Sequence, residues 1–389
     1  MSIMIGAGIT LGAGISALQE IPQNFLWSWG YNGYGELGLG NTANRSSPVQ
    51  VGALGTWSQV SRSYNAYAVQ SVKTDGTLWA WGRNSQGQLG LGDAISRSSP
   101  VQVGALTDWA GSLTSAFSWG GATNLLKSNG TAWMCGFTEG TFNTPAYTNR
   151  SSPVQVASDK NWAIIGSGSN KSWFGVTTGG ALWSSAAFNN DGFSGQNNTT
   201  NTSSPAQVGA LTDWAGVYPG ARACIARKTD GTIWSWGKAY DASYTAFMGQ
   251  NNATARSSPT QIGSLTAWAK VSVRKYVVAA VKTDGTMWTW GLNSAGQLGL
   301  GDLINRSSPT QVGALTNWST SNIIPGIAIK SDGSFWTWGS GGTGQNGNGA
   351  AAIDPRGDRS SPTQVGSLTT WTSIGARGSA RFAISSHAT

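Results

Sequence analysis

Residues 73–82 read Lys-Thr-Asp-Gly-Thr-Leu-Trp-Ala-Trp-Gly, an Asp-Gly turn followed by a short apolar strand that carries two tryptophans. Related strand ends begin at six other positions, and an Arg-Ser-Ser-Pro turn or a close variant follows each one. Seven copies about 51 residues apart fall in the range of propeller-type repeats. The strand ends begin at Leu26, Leu78, Ala132, Leu182, Ile233, Met287 and Phe335, and the turn prolines are Pro48, Pro100, Pro153, Pro205, Pro259, Pro309 and Pro362.

The segments between these landmarks predict strands throughout. Apolar residues alternate in short runs bounded by Gly, Asn and Asp, and no stretch keeps a helical period for three turns. The Asp-Gly pairs, such as Asp75-Gly76, would supply the positive φ angles of a type I′ hairpin. The aspartates are therefore interpreted first as turn residues.

The two ends of the repeat region complement each other. The first copy begins at Phe25 with no apolar strand before it, and the last ends with the apolar run 380–385 with no Trp strand after it. One blade shared by both ends would close a ring and remove exposed sheet edges. The predicted fold is an all-β, seven-bladed β-propeller of four-stranded blades over residues 23–389, closed by N- and C-terminal strands that share one blade.

The tryptophans and the arginines follow the repeat. Of 21 Trp, 19 occupy three repeat positions, and only Trp119 and Trp173 lie outside them. A regular Trp series predicts packing between blades rather than an aromatic binding array. Six of the 14 Arg occupy the turn position, and we expect each to stack on a neighbouring Trp or to bond loop carbonyls. These six are Arg45, Arg97, Arg150, Arg256, Arg306 and Arg359.

The composition argues against several functional classes. The net charge is +8, but one Arg per blade does not converge on a nucleic-acid backbone. His387 is the only histidine, so His-based catalysis and His-based metal sites lack their central residue. Cys135 and Cys224 fall in different blades and are interpreted as small buried residues. We therefore predict no catalytic residue, no cofactor and no metal, and nucleic acid is an unfavoured partner.

The hairpin at 73–82 continues into Arg-Asn-Ser-Gln-Gly-Gln-Leu-Gly-Leu-Gly-Asp at 83–93, and residues 282–302 repeat the pattern almost verbatim. This pattern resembles the regulator-of-chromosome-condensation repeat over residues 25–389. The resemblance implies a seven-bladed propeller. It does not imply one function, because the family includes an exchange factor for a nuclear GTPase, an ultraviolet receptor and a secreted inhibitor of β-lactamase. The ultraviolet receptor's Gly-Trp-Arg-His-Thr motif is absent from this sequence.

Residues 1–22 form a separate N-terminal segment with strict alternation of apolar residues and mostly glycine. The pattern predicts a strand that another backbone can approach closely, and so an anchor that docks into a larger assembly. A disordered tail is the alternative. The segment lacks the basic residues of a signal peptide and the apolar length of a membrane helix. The candidate anchor residues are Ile3, Ile5, Ile9, Leu11 and Ile15.

Three consecutive loops depart from the short glycine-rich pattern: 136–149, 185–202 and 237–255. Their aromatic and Asn residues suit contact with a glycan or a protein surface, and neighbouring loops on one side of a propeller would form a single patch. Loop drift is the alternative explanation. The candidate ligand-facing residues are Phe137, Phe142, Tyr147, Phe188, Phe193, Tyr240, Tyr244 and Phe247.

The leading hypothesis from sequence is a non-enzymatic, virion-attached protein, a phage decoration, tail or fibre component held by its N-terminal strand. The opening residues loosely resemble those of structural proteins of tailed marine phages. Expected partners are other virion proteins and a host protein or glycan, and the expected location is the virion, otherwise extracellular or cytoplasmic. The alternatives are a regulatory propeller of the guanine-nucleotide exchange-factor type and a secreted inhibitor or lectin-like module. A hydrolase ranks last, since the 16 acidic residues show no catalytic pair.

Overall fold

The computed structural model describes residues 23–53, 55–63, 67–110, 121–137, 149–168, 171–238, 246–252, 254–349 and 357–386. The N-terminal segment, with its candidate anchor residues, lies outside the described residues. The strands of the first half are β1 (Phe25–Gly30), β2 (Arg45–Gln50), β3 (Trp57–Val60), β4 (Arg62–Ser63), β5 (Ala68–Lys73), β6 (Leu78–Gly82), β7 (Arg97–Gln102), β8 (Thr123–Leu126), β9 (Ala132–Phe137), β10 (Asn149–Val156), β11 (Trp162–Gly168), β12 (Ser172–Thr177), β13 (Leu182–Ala186) and β14 (Thr202–Gln207). Those of the second half are β15 (Trp214–Pro219), β16 (Ala223–Lys228), β17 (Ile233–Gly237), β18 (Arg256–Gln261), β19 (Trp268–Arg274), β20 (Val277–Lys282), β21 (Met287–Gly291), β22 (Arg306–Gln311), β23 (Trp318–Ile324), β24 (Ile327–Lys330), β25 (Phe335–Gly339), β26 (Arg359–Gln364), β27 (Trp371–Arg377) and β28 (Ala380–Ser385).

These strands form seven antiparallel sheets, which we number as blades 1 to 7 along the chain. Blade 1 has the order β3-β5-β6-β7. Blades 3, 4, 5 and 6 consist of β11 to β14, β15 to β18, β19 to β22 and β23 to β26, each in chain order. Blade 2 contains β8, β9 and β10, and a bridge between Trp109 and Lys127 stands at the place of its first strand. The predicted seven-bladed propeller is confirmed.

Blade 7 closes the ring. Its order is β4-β27-β28-β1-β2, where the two-residue strand β4 pairs in parallel with β27, and the beginning of the repeat region pairs with its end. The six residues of β1 face the six residues of β28 without a register shift, from Phe25 opposite Ser385 to Gly30 opposite Ala380. The indole N–H of Trp27 donates to the hydroxyl of Ser385 at 3.0 Å. The predicted sharing of one blade by both ends is therefore confirmed.

Each blade presents two different ends. We call the end with the Asp-Gly hairpins between the second and third strands the hairpin side. The opposite end is the loop side, where the first strand turns into the second and where long loops join the third strand to the fourth. First strands of adjacent blades contact one another, for example β19 with β23 and β23 with β27, so they line the centre of the ring.

The hairpins differ from the predicted type I′ turn. In the hairpin that joins β5 to β6, only Gly76 has a positive φ, at 79°, and its N–H donates to the carbonyl of Lys73 at 3.0 Å. This is a type I turn followed by a left-handed glycine. The Asp75 carboxylate accepts hydrogen bonds from the N–H and hydroxyl of Thr77, which lower its pKa and fix the turn. The interpretation of the aspartates as turn residues thus stands, with a different turn type.

The Arg-Ser-Ser-Pro segments, predicted as turns, instead lie in the fourth strands of their blades, as in β7 and β22, and their arginines bond to the preceding loops. Arg97 donates to the carbonyl of Ile95 and forms an ion pair with Asp93 at 2.6 Å, and Arg306 repeats the arrangement. Stacking of cations on tryptophan belongs instead to the lysines at the end of the second strands. Lys330, for example, lies 3.7 Å from the ring centre of Trp336. This role of the lysines was not predicted from the sequence. The available signal was a Lys two residues before the Asp of the Asp-Gly turn in several repeats.

The tryptophans pack between blades as predicted. The second Trp of the strand end donates its N–H to a loop carbonyl of the preceding blade, as Trp338 does to Gln297 at 2.9 Å. Blade 2 has Cys135 at this position, and its thiol lies 3.5 Å from the corresponding carbonyl, that of Gln88. Equivalent bonds join Trp29 to Gln345, Trp81 to Glu36, Trp236 to Phe193 and Trp290 to Phe247.

Candidate binding surface on the loop side

A buried asparagine holds each regular loop on the loop side. The side-chain N–H groups of Asn293 donate to the carbonyls of Asp302 and Ile304, at 2.9 and 3.2 Å, and its oxygen accepts from the N–H of Leu298 at 2.9 Å. One side chain thus satisfies three backbone groups of its loop. Asn32, Asn84 and Asn189 make the same contacts in their loops. These four loops therefore have a fixed backbone.

On the loop side, one residue of each described loop has the backbone carbonyl that accepts the N–H of the second tryptophan, or the thiol of Cys135, from the next blade. We call the place of this residue in its loop the wedge position, because its side chain lies between neighbouring blades. Its occupants are Glu36, Gln88, Phe193, Phe247, Gln297 and Gln345. Phe193 and Phe247 are only 1 and 2% exposed and belong to hydrophobic clusters between blades. The wedge position therefore holds core aromatic residues in blades 3 and 4 and polar residues in blades 1, 5, 6 and 7.

This burial corrects two of the predicted ligand-facing residues. Phe193 and Phe247 point into the protein because an aromatic ring at the wedge position packs against the turn of its own blade, and the turn residues Gly168 and Gly220 leave room for it. Phe188 is 48% exposed, and the ammonium group of Lys171 lies 5.0 Å from its ring centre. Phe137 is half-buried. Phe142, Tyr147, Tyr240 and Tyr244 lie outside the described residues, so the three-loop patch stays a prediction.

Where the wedge position holds Gln297 and Gln345, a cavity of about 330 Å³ opens between blades 5, 6 and 7. Its walls are the turns between first and second strands of these three blades and the adjoining loops. The charged residues in its lining are Arg274, Lys275 and Arg381, and no Asp or Glu lies among the described residues that line it. The cavity is therefore cationic.

Two of these cations meet at one backbone oxygen. Arg274 of blade 5 and Arg381 of blade 7 both donate to the carbonyl of Gly378, the latter at 3.3 Å. Arg381 is only 3% exposed and also donates to its neighbour's carbonyl. Guanidinium groups stay charged at all ordinary pH values. The approach of the turns of blades 5 and 7 thus places two positive charges side by side at the edge of the cavity.

Glu36 is the acidic exception at the wedge position. It is fully buried, its Oε2 accepts from the N–H of Tyr34 at 2.7 Å, and its Oε1 has no hydrogen-bond partner in the described structure. Burial raises the pKa of this carboxyl to about 7. Because it is enclosed, the group is a determinant of stability rather than an acid that a substrate could reach.

Nothing else in the described part of the chain resembles a reaction centre. Within those ranges, no three His, Cys, Asp or Glu residues come close enough to hold a metal ion. The turn carboxylates of Asp75, Asp230, Asp284 and Asp332 have lowered pKa values, chiefly because a Thr or Ser at two residues' distance donates to them. The described part of the chain also contains no helix that is long and apolar enough to cross a membrane.

The comparison with known families agrees with this architecture. The model of the regulator of chromosome condensation (RCC1) repeat matches residues 23–65, 75–111 and 284–323. Three segments of the seven-bladed propeller are therefore RCC1 repeats. The Ultraviolet-B receptor UVR8 of Arabidopsis thaliana is 25% identical over 316 residues, which cover 78% of this chain and 68% of the receptor. The mitochondrial RCC1 domain-containing protein RUG3 of the same plant is 30% identical over 189 residues, 46% of this chain and 41% of RUG3.

Solved structures show the same fold. The structure of Prp20p from Saccharomyces cerevisiae matches this RCC1-repeat propeller with a TM-score of 0.74 at 16% identity, over 95% of this chain and 93% of Prp20p. Prp20p has binding properties to Gsp1p and histones. At this level of identity the likeness establishes the fold, and the partners remain those of Prp20p.

Proposed function

We propose that this RCC1-repeat propeller is a non-enzymatic regulatory protein that binds an acidic partner surface with its loop side. The proposal rests chiefly on the unequal charge of the two sides. Around the centre of the loop side stand five cationic residues, and three of them converge on the cavity between blades 5, 6 and 7. The five are Lys171, Arg222, Arg274, Lys275 and Arg381.

The hairpin side has no comparable excess of charge. Its lysines lie between tryptophan rings and face carboxylates, as Lys127 faces Asp108 at 3.1 Å and Lys228 faces Asp213 at 3.2 Å. A surface of one sign accelerates association with a partner of the opposite sign. The loop side is therefore the side that an acidic protein would approach.

The relatives support a regulatory binding role more than the virion role expected from sequence. One is named as a receptor, and Prp20p is described by what it binds. The turn arginines support a protein partner over nucleic acid, because Arg97 and Arg306 already bond to their own loops. Attachment to a virion and glycan binding stay predictions, since they depend on residues outside the described structure.

Charge reversal on the loop side tests the proposal. Wild-type protein, Lys275→Glu and Lys160→Glu would serve as baits in extracts of the source cells, with captured proteins quantified by mass spectrometry. Lys160 is the control, because it lies on the hairpin side. We expect acidic proteins to be lost at least about tenfold with Lys275→Glu and to be retained with Lys160→Glu.

A second arm separates the regulatory subclass. Purified, nucleotide-free Gsp1p would be offered to the same three proteins, and in parallel the release of nucleotide from loaded Gsp1p would be followed by fluorescence. Faster release that Lys275→Glu abolishes would establish the exchange-factor type. Partners that bind all three baits equally, or that only Lys160→Glu loses, would contradict the loop side as the binding surface.

A further inference from the structure

Three cationic side chains and several neutral hydrogen-bond donors line the cavity between blades 5, 6 and 7. We propose that it is a binding site for a small phosphate-class oxyanion, either inorganic phosphate or a phosphate monoester. The inference does not depend on the proposed function, because the site can hold such an anion with no protein partner present. It rests on the charge, the donor set and the space of the cavity.

The charge comes first. Arg274 and Arg381 donate to the same carbonyl oxygen, that of Gly378, so their guanidinium groups are held close together. Like charges at such a separation repel, and the repulsion is strong where burial excludes water. Lys275 adds a third positive charge at the rim. An anion between these groups would neutralise them, and the flat guanidinium fork matches two oxygens of a phosphate.

The neutral polar groups are also oriented as donors. The side-chain oxygen of Gln297 accepts from the N–H of Ala295 at 2.8 Å, and that of Gln345 accepts from the N–H of Thr343 at 2.9 Å. With both oxygens bound to backbone, the amide NH₂ groups are the ends that can serve a ligand. Three hydroxyls complete the polar lining, those of Ser294, Ser340 and Ser379.

The space suits a small ligand, and the corresponding region between blades 3 and 4 is filled. A volume of about 330 Å³ is at the lower end of the range for small-molecule pockets. Between blades 3 and 4, Phe193 occupies the wedge position and fills the corresponding region with an aromatic ring. Tyr276 and Pro325 form an apolar wall that could cover the organic part of a monoester.

Calorimetric titration of the full chain at pH 8 tests the site. The probes are inorganic phosphate, phosphoserine and succinate, each in a non-phosphate buffer of matched ionic strength. We expect one phosphate-class anion per chain. Arg274→Gln and Lys275→Gln should each weaken binding by about tenfold, since each removes a charge-assisted hydrogen bond.

Arg222→Gln is the matched control, because Arg222 lies in the equivalent turn of blade 4, outside the cavity, beside Asp191 at 3.4 Å. The affinity of this variant for phosphate should stay within about twofold of that of the wild type, because Arg222 does not line the cavity. Tighter binding of phosphoserine than of phosphate would assign the natural ligand to the monoesters, and the reverse would assign it to the free ion.

Three results would overturn the site: no heat of binding for either phosphate probe, an equal loss with Arg222→Gln, or succinate binding as tightly as phosphate. The last would make the cavity a general carboxylate site. Near-ultraviolet circular dichroism would detect a failure of Arg274→Gln to fold. In that case Lys275→Gln still tests the site, because Lys275 lies on a surface turn.

Discussion

Truncation of the chain after Ser379 is expected to abolish cooperative folding. The deletion removes β28, which pairs with β1 on one side and with β27 on the other. Without it, both neighbours become exposed sheet edges, and the buried rings of Trp29 and Trp81 lose part of their cover. Loss of the near-ultraviolet signal and of a single thermal transition would be the measured outcome.

A control truncation and a milder variant make this prediction specific. Truncation after Ser386 leaves β28 complete and should unfold as the wild type does. Phe382→Ala should cost roughly 3–5 kcal/mol, because this fully buried ring packs against Trp81 of blade 1 at 6.4 Å. A protein that folds cooperatively without β28 would show that the ring is not held by its two ends.

Glu36→Gln is expected to stabilise the protein by up to about 3 kcal/mol at pH 8 and by less than about 1 kcal/mol at pH 5. Burial raises the pKa of Glu36 from 4.5 to about 7 in the folded state. At pH 8 folding must therefore keep a buried negative charge whose Oε1 has no partner in the described structure. The chain itself offers the replacement, since Gln88, Gln297 and Gln345 occupy the same position.

The direction with pH follows from proton binding. Between pH 4.5 and about 7 the folded protein holds the Glu36 proton more tightly than the unfolded chain does. The contribution of this group to stability therefore falls as the pH rises through that window and is constant above it. Denaturant unfolding of wild type and Glu36→Gln at pH 5, 6, 7 and 8 would show curves that diverge with rising pH.

The reciprocal variant Gln88→Glu is the matched control. It places the same carboxyl at the wedge position of blade 1, where Gln88 is 2% exposed, and should lose stability as the pH rises over a similar window. Equal effects of Glu36→Gln at pH 5 and pH 8 would refute the raised pKa. A loss of stability at pH 8 would show that the charge is stabilised by a group not recognised in this structure.

The sequence was sufficient for the architecture because each blade repeats the same residues. The missing strand before Phe25 and the extra strand after Ser379 predicted the closing pair β1 and β28, which the structure confirms. The hairpin type was missed for a local reason. The sequence Asp-Gly fits two turns, and only the hydrogen bonds from Thr77 to Asp75 select the type I turn.

The candidate site was harder to predict than the fold. Phe193 and Phe247 were assigned to a ligand-facing patch because their loops diverge, yet both occupy the wedge position and are buried. Alignment of the loops on their shared glycines would have revealed this equivalence. The cationic cavity gave no local signal, because Arg274 and Arg381 are more than 100 residues apart and meet only through the arrangement of blades 5, 6 and 7 around the centre of the propeller.

The distance between the two ends of the repeat region tests the closed ring, the central claim of the account, most directly. Spin labels would be placed on Gln23→Cys and Ser386→Cys, because the two native thiols are buried and should not react. Phe25 lies opposite Ser385, and paired strands are roughly 5 Å apart, so we expect a label separation of about 20 Å or less. A clearly longer separation would mean that the ring is open and that β1 and β28 do not share a blade.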